Sequence, residues 1–372
     1  MKIAINCSFF IPKGGGIKEY IYNLTTNLAK VDSVNEYVLY VASDYYDYAL
    51  KELPKTMRIK ATPFSSKQAI RRSLLENSFY QKEEKIEKFE VFHSPFFHVP
   101  NLKTAKRLIT VHDLRLCRYP ETYTFLRYQF LKRAVKKSIL VADKIITISD
   151  FTKNELLHFY DVEESKITSI HEAINLESFN VKNIDNYNFK LNKDLEKDSF
   201  VLSVGHLEPR KNYNNLIKAF KKIQNESNLR KLKLVIVGKK SFDYEQTLKN
   251  VILDSNILHL DFVDFKDLLW LYSNAKLFVQ PSFYEGFGFA PLEAAALGTV
   301  SVVSNTSSTP EICKESAFYF DPFEVEDIAA NIKTALIDEV LFKEKQDLLA
   351  SNLSRFSWQK NAEETLKIYN SI

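Results

Sequence analysis

Short β-branched and aromatic runs alternate with helical stretches along the whole chain, and the alternation restarts once. KIAIN, a helix over residues 17–29, YVLYVA, VFHS, RLITVHD, DKIITIS and KITSI form the first series. FVLSVG, LKLVIVG, ILHLD, KLFVQPS and TVSVVS form the second, after residue 198. Strands separated by helices require parallel sheets, because a parallel neighbour is reached only through a long crossover. Continuously apolar strands such as 108–111 and 145–148 fit sheets covered on both faces. The expected class is therefore α/β, with two doubly wound parallel-sheet domains. A length of 372 residues agrees, at roughly 150 per domain.

Residues 179–198 (FNVKNIDNYNFKLNKDLEKD) are rich in Asn, Lys and Asp without a sustained period, which marks a linker. The expected layout is a first domain over 1–178, a linker over 179–198, a second domain over 199–350 and a terminal segment over 351–372. The helix in that segment, SWQKNAEETLKIY, has Ser357 as its N-cap and is expected to return to the first domain.

Composition excludes several classes. Hydrophobic residues at 45% and charged residues at 26% leave ample material for cores and rule out a disordered chain. A net charge of +4, from 51 basic and 47 acidic side chains, is too slight for nucleic-acid binding through bulk charge. Three widely spaced cysteines without a C-x-x-C pair support neither a disulfide framework nor a cysteine zinc site, and fit a reducing cytoplasm. The N-terminus lacks the parts of a signal peptide, and no uncharged apolar run reaches the roughly 18 residues of a membrane span. Residues 122–142 do place Arg133, Lys136 and Lys137 on one helical face, with Leu131, Ala134, Val135 and Ala142 on another. Such a helix either rests on an anionic membrane surface or is simply solvated against the sheet. The run IRRSLLENSFYQKEEK around Arg71 is a second candidate of the same kind.

Only eight glycines are present where an average of roughly 7% gives about 26, so each has a backbone reason to be there. They follow strand-like runs or sit at helix boundaries. In open α/β sheets ligands bind beyond the carboxyl ends of the strands. In the first domain those positions are the glycines 14–16, His93, His112 with Asp113, and Ser149; in the second they are residues 205–211, Gly238 with Lys239, and residues 285–293. Two such sets imply a cleft between lobes.

The most informative segment is SFYEGFGFAPLEAAALG. Pro291 at an early helical position and Gly298 past the end frame a helix whose start exposes backbone N–H groups to an anion. Glu285 on the loop and Glu293 in the first turn are two carboxylates able to accept hydrogen bonds from sugar hydroxyls. Arg210 and Lys211, adjacent after the strand FVLSVG, can neutralise charge growing on a leaving phosphate.

This E-x7-E pattern, with VGHLEPRKNYNNLIKAF, TVHDL, ITISDFTKNEL and FYFDPFEVEDIAANI, resembles glycosyltransferase family 4, retaining sugar-nucleotide transferases of the GT-B fold with two Rossmann-like domains. Within it the pattern is most similar to bacterial mannosyltransferases of O-antigen and other surface polysaccharide (lipopolysaccharide) assembly, which use GDP-mannose. The resemblance implies a donor nucleotide sugar on the second domain, contacted by Gly205, Arg210, Lys211, Glu285, Gly286, Phe287, Gly288, Phe289 and Glu293. Glu293 would take the ribose hydroxyls, Glu285 the transferred sugar, and Arg210 with Lys211 the diphosphate. His112 would meet the donor sugar from the first domain, and Gly15 and Gly16 would approach the β-phosphate or the acceptor. Asp113, Ser149 and His93 would serve a lipid-linked or oligosaccharide acceptor, Ser149 being equally well a helix N-cap.

The chain departs from the family in having Ala173 after KITSI and His206 after Gly205, which touches hinge geometry or one donor contact. No two aspartates are separated by a single residue, so the D-x-D metal site of the other main glycosyltransferase fold is absent from the sequence. Transfer without a metal or other cofactor is the expectation, in the cytoplasm or peripherally on the inner face of the cytoplasmic membrane. Two alternatives stay open: a UDP- or TDP-sugar donor, and a non-catalytic glycosyltransferase-like subunit that binds carbohydrate or a partner. A dehydrogenase or P-loop kinase fails, because no G-x-G-x-x-G follows the first strand and no G-x-x-x-x-G-K-[ST] exists.

Overall fold

The alternation of strand and helix resolves into two all-parallel sheets. The structure, a computed structural model, describes residues 1–372 apart from Lys13, Asn186, Asn188, Lys190, residues 192–194, 227–228 and 242–243, and Leu253. The first sheet contains β1 (Lys2–Cys7), β2 (Glu36–Val41), β3 (Arg58–Ala61), β4 (Val91–Ser94), β5 (Lys106–Val111), β6 (Lys144–Thr147) and β7 (Ile167–Ser169) in the order β3-β2-β1-β4-β5-β6-β7. The second contains β8 (Phe200–Val204), β9 (Lys233–Val237), β10 (Ile257–Leu260), β11 (Leu277–Gln280), β12 (Ser301–Ser304) and β13 (Ala317–Phe320) in the order β10-β9-β8-β11-β12-β13. In each sheet the order reverses beside the first strand, the switch point at which open α/β sheets bind ligands.

The pleat explains why these strands read as unbroken apolar runs. In the second sheet Val201, Leu234, Ile236, Leu277 and Val279 enter one buried cluster with Leu216, Phe220 and Ile328. Their neighbours Phe200, Leu202, Val235, Val237 and Phe278 enter another with Leu269 and Tyr272 on the opposite side. Successive residues face opposite sides, and helices cover both. β3 is different: an edge strand with no fully buried residue, whose sequence RIKA carries little apolar signal.

Contacts divide the chain into two units, Met1–Ala173 with Ser357–Ile372, and Ile174–Phe356. The last helix, Trp358–Tyr369, packs on the helix Gly15–Val31 through an edge contact of Tyr20 and Trp358 at 5.8 Å. Ser357 caps it, accepting from the Lys360 N–H. Of the stretch read as a linker, Asn186, Asn188, Lys190 and residues 192–194 lie outside the described residues. Its described aromatic residues pack onto the second unit. Phe189 stacks on Trp270 at 4.2 Å, Phe179 meets Phe265 at 5.3 Å, and Tyr187 donates to Asp267 at 2.8 Å. The apolar and aromatic residues dispersed among its polar ones are anchors.

The run around Arg71 forms the helix Ala69–Glu87, of which the side chains of Ala69, Ile70, Ser73 and Leu74 lie outside the described residues. It turns carboxylates inward. Glu83 accepts from Tyr40 at 3.0 Å, and Glu84 accepts the backbone N–H groups of residues 103–105. Gly238 shows how tightly the strand ends of the second sheet meet, since a Cβ there would lie 1.9 Å from the Gly205 carbonyl oxygen. No side chain fits that approach.

Candidate functional site

In the second unit, the chain leaving β8 makes a single 3-10 turn, Pro209–Lys211, and enters the helix Tyr213–Gln224 through Asn212 at φ 56°. That reversal turns Arg210 and Lys211 back toward the loop after β11. Two contacts join the segments: the Phe283 N–H donates to the Arg210 carbonyl at 2.9 Å, and the Arg210 guanidinium Nη1 donates to the Tyr284 carbonyl at 2.6 Å. Glu285 then takes Lys211 Nζ on one carboxylate oxygen at 2.6 Å and Arg210 on the other at 2.9 Å. Glu208 holds the far side of the same guanidinium at 2.6 Å.

The side chains of Arg210, Lys211 and Glu285 are only 13%, 16% and 12% exposed. Burial by itself would raise the Glu285 carboxyl, but Lys211 and Arg210 outweigh it and hold the pKa at about 2. For Arg210 burial works against the charge, and the carboxylates of Glu285 and Glu208 reverse this, so the guanidinium is more firmly protonated than usual. Lys211 goes the other way. Burial and the neighbouring Arg210 together lower its pKa despite Glu285. Two cations are thus matched by two carboxylates.

The loop after Glu285 is pinned from behind. Ser307 Oγ accepts the Glu285 N–H at 3.1 Å, and Ser308 Oγ donates to the carbonyls of Glu285 and Phe287 at 3.0 and 2.8 Å. Gly288 caps the helix Phe289–Ala296 at φ 99°, a conformation that suits glycine. Among the described residues the buried Gln280 Nε2 beside it has no hydrogen-bond partner, and it sits 3.7 Å from where a Gly288 Cβ would be. A helix start, whose first N–H groups have no partner within the helix, and this amide suit an anion.

Glu293 lies one turn in and accepts from the Tyr272 hydroxyl at 2.7 Å, with its pKa raised by burial. Lys211 acts on it electrostatically, so both glutamates of the E-x7-E pattern share one field. The structure therefore brings together Gly205, Arg210, Lys211, Glu285, Gly286, Gly288, Phe289 and Glu293 at the ends of β8 and β11. Phe287 is a correction. Its side chain is 2% exposed and packs against Phe289 and Phe356, so only its backbone can reach a ligand.

In the first unit, His112 follows β5 and has both ring nitrogens engaged. Nε2 donates to the Pro95 carbonyl at 2.9 Å, and Nδ1 lies 2.9 Å from the Glu172 carboxylate, whose side chain is 2% exposed. Burial alone would lower the His112 pKa, but Glu172, helped by the Pro95 carbonyl and Asp113, raises it overall. His112 is therefore biased toward its protonated form. A sugar hydroxyl meets it only by sharing or replacing the Pro95 carbonyl. Asp113 is exposed and caps the following turn through the Arg115 N–H at 3.0 Å. Gly15, at φ 61°, and Gly16 open the helix Gly15–Val31 with free space where a side chain would stand.

Two expected acceptor residues are withdrawn. His93 is fully buried, with Nδ1 on the Tyr369 hydroxyl at 2.7 Å and Nε2 on Thr110 at 2.9 Å. Burial holds its pKa at about 3, a neutral structural histidine beneath the site. Ser149 is also fully buried and is the N-cap of the helix Asp150–Phe159, accepting from the Thr152 N–H. Sequence reasoning missed Glu172, Glu208 and Tyr272. Glu208 stands within LEPRKN and was open to view; Glu172, after β7, meets a residue after β5, and Tyr272 on the helix Phe265–Asn274 meets one on the helix Phe289–Ala296, so neither has a local signal.

Both halves of the chain match known protein families. Residues 14–178 match Glycosyltransferase Family 4, and residues 183–355 match Glycosyl transferases group 1. O-antigen chain mannosyltransferase B of Escherichia coli is 27% identical over 282 residues, 75% of this chain and 74% of that one. O-antigen chain mannosyltransferase RfbU of Salmonella typhimurium is 30% identical over 218 residues, 58% of this chain and 56% of that one. Among solved structures, sucrose-phosphate synthase from Thermosynechococcus elongatus superposes with a TM-score of 0.78 at 18% identity, covering 100% of this chain and 98% of that one.

The Glu172 pair gives a direct expectation. A folded-state pKa above the ordinary value stabilises the fold fully below about pH 6.5, and that contribution is lost as pH rises through the raised value. Ring-nitrogen NMR should find the His112 midpoint above about 6.5 in the wild type and below it in Glu172→Gln, where burial acts unopposed. Equal midpoints would show that the pair does not hold the charge.

Proposed function

Because the chain belongs to the glycosyl transferases of Family 4 and group 1, built on the GT-B fold, we propose that it is a retaining hexosyltransferase that moves mannose from GDP-mannose to a lipid-linked or oligosaccharide acceptor in bacterial surface polysaccharide synthesis. The observation that carries this is the buried cluster of Arg210, Lys211, Glu208 and Glu285 beside the helix start at Gly288. Preorganised cations at a departing diphosphate stabilise the charge that develops there. The names of the two mannosyltransferase relatives support the choice of sugar.

In this reading the diphosphate meets Arg210, Lys211 and the N–H groups after Gly288, while Glu293 accepts the ribose hydroxyls. Glu285 keeps the two cations in place and faces the sugar. The bond from C1 to the diphosphate oxygen breaks as the acceptor oxygen bonds C1 from the same face, and the acceptor proton passes to the leaving phosphate oxygen. Arg210 and Lys211 occupy the role that a metal ion fills elsewhere, so transfer proceeds without one.

A panel of GDP, UDP, TDP and ADP sugars, assayed in EDTA, tests the assignment. GDP-mannose should give the highest turnover and an α-linked product by anomeric proton NMR. A β-linked product overturns the retaining mechanism, turnover abolished by EDTA and restored by Mg²⁺ overturns metal independence, and preference for another nucleotide overturns the donor.

Peripheral membrane contact is part of the same proposal. Among the described residues no helix is long and apolar enough to cross a membrane. The helix Phe125–Val141, however, exposes Leu126 (80%) and Phe130 (53%) on the same side as Arg133, Lys136 and Lys137. Apolar residues among basic ones suit an anionic bilayer surface. At ~1 kcal/mol per basic residue, changing Arg133, Lys136 and Lys137 to Glu should lower binding to anionic vesicles by at least about 100-fold. Unchanged sedimentation with such vesicles would leave the helix merely solvated.

A further inference from the structure

Outside the residues placed above, the first unit holds a cavity of about 290 Å³. Its wall is mainly aromatic and aliphatic: Phe9 and Ile17 near the glycine loop, Phe96 after β4, and Tyr123, Phe130 and Ala134 around the helix Phe125–Val141. Two guanidinium groups enter this apolar wall, Arg72 and Arg127. Arg72 lies 5.0 Å from the centre of the Phe9 ring and Arg127 lies 5.6 Å from that of Tyr123. The acidic residue of the lining, Glu76, is paired with His98 instead.

Among the described residues neither arginine makes an ion pair. Arg107 and Arg118 of the same unit, by contrast, are bound to Asp143 and Glu155. An aromatic face orients a guanidinium without using its N–H fork, which stays available for an anion. A bare inorganic anion would leave the apolar wall wet. A free sugar would bring many hydroxyls to a wall with few polar groups to receive them. A phosphate ester on an apolar chain satisfies both halves.

Building on the reading that this half of the chain receives the acceptor, we propose that the cavity binds a lipid-linked acceptor by its first carbons and its phosphate, the phosphate resting on Arg72 and Arg127. The volume is at the small end of the ~300–1,000 Å³ typical of ligand sites, enough for the beginning of a chain and not for all of it. Phe130 both lines the cavity and is 53% exposed, and it continues into the exposed Phe125 and Leu126. The remainder of the chain leaves along that face.

Calorimetry on the full chain with geranyl diphosphate, inorganic diphosphate and geraniol tests this. Geranyl diphosphate should bind at least about tenfold more tightly than either fragment, and Arg72→Gln with Arg127→Gln should weaken it at least about tenfold, the loss of a charge-assisted hydrogen bond. Ala134→Trp, which fills the cavity without touching charge, should abolish binding and serves if the double variant does not fold. In transfer assays geranyl diphosphate should compete with the acceptor and leave donor affinity unchanged. The proposal is overturned if inorganic diphosphate binds as well, if neither variant weakens binding, or if dispersed phosphatidic acid competes equally, which would mark a general lipid contact. Loss of nucleotide-sugar binding to the wild type is a separate result and strikes the donor reading instead.

Discussion

The second unit is organised around one constraint: two cations and two carboxylates are withdrawn from water together. Burying a charge without a partner is expensive, and breaking a buried pair typically costs about 3–5 kcal/mol. Glu285 therefore cannot be chosen separately from Arg210 and Lys211. The turn Pro209–Lys211, the loop after β11 and the serines behind that loop all have to deliver their side chains to the same place. The Phe283 N–H bond to the Arg210 carbonyl and the Arg210 guanidinium bond to the Tyr284 carbonyl fix the spacing, so the protein itself holds the cluster together. Preorganisation of this sort is what makes charged groups effective against a leaving group whose charge grows during reaction.

The first unit handles its polar groups in two contrasting ways. Burial keeps His93 neutral, and it serves to tie β4 to the last helix through Tyr369. The His112 pKa is raised overall, against burial, because Glu172 follows β7 and reaches its Nδ1. The same residue type is thus shifted in opposite directions in two positions of one sheet, and a paired carboxylate decides which.

How far the sequence revealed this depends on the range of each interaction. The E-x7-E pattern, the Arg210 and Lys211 pair and the glycine at the helix start are local features of strand, turn and helix, and the structure sets them at the strand ends where reasoning from α/β topology looks for them. Both sheets were legible because their strands are buried on two faces, whereas β3 is an exposed edge with basic residues and left no trace. His93 and Ser149 were open to misreading because strand ends hold both ligand contacts and buried structural groups, and only burial separates the two. Glu172 and Tyr272 were invisible since their partners come from elsewhere in the fold. Phe125, Leu126 and Phe130 stand exposed along the helix Phe125–Val141.

The central claim is that Arg210 and Lys211 receive a diphosphate. Its most direct test compares the affinity of the preferred nucleoside diphosphate with that of the bare nucleoside, by calorimetry, in the wild type, Arg210→Ala and Lys211→Ala. With charge-assisted hydrogen bonds worth about 1.5–3 kcal/mol, the diphosphate should lose roughly ten- to a hundredfold in each variant while the nucleoside is unaffected. Diphosphate affinity unchanged in both variants, in protein that remains folded, would contradict the account.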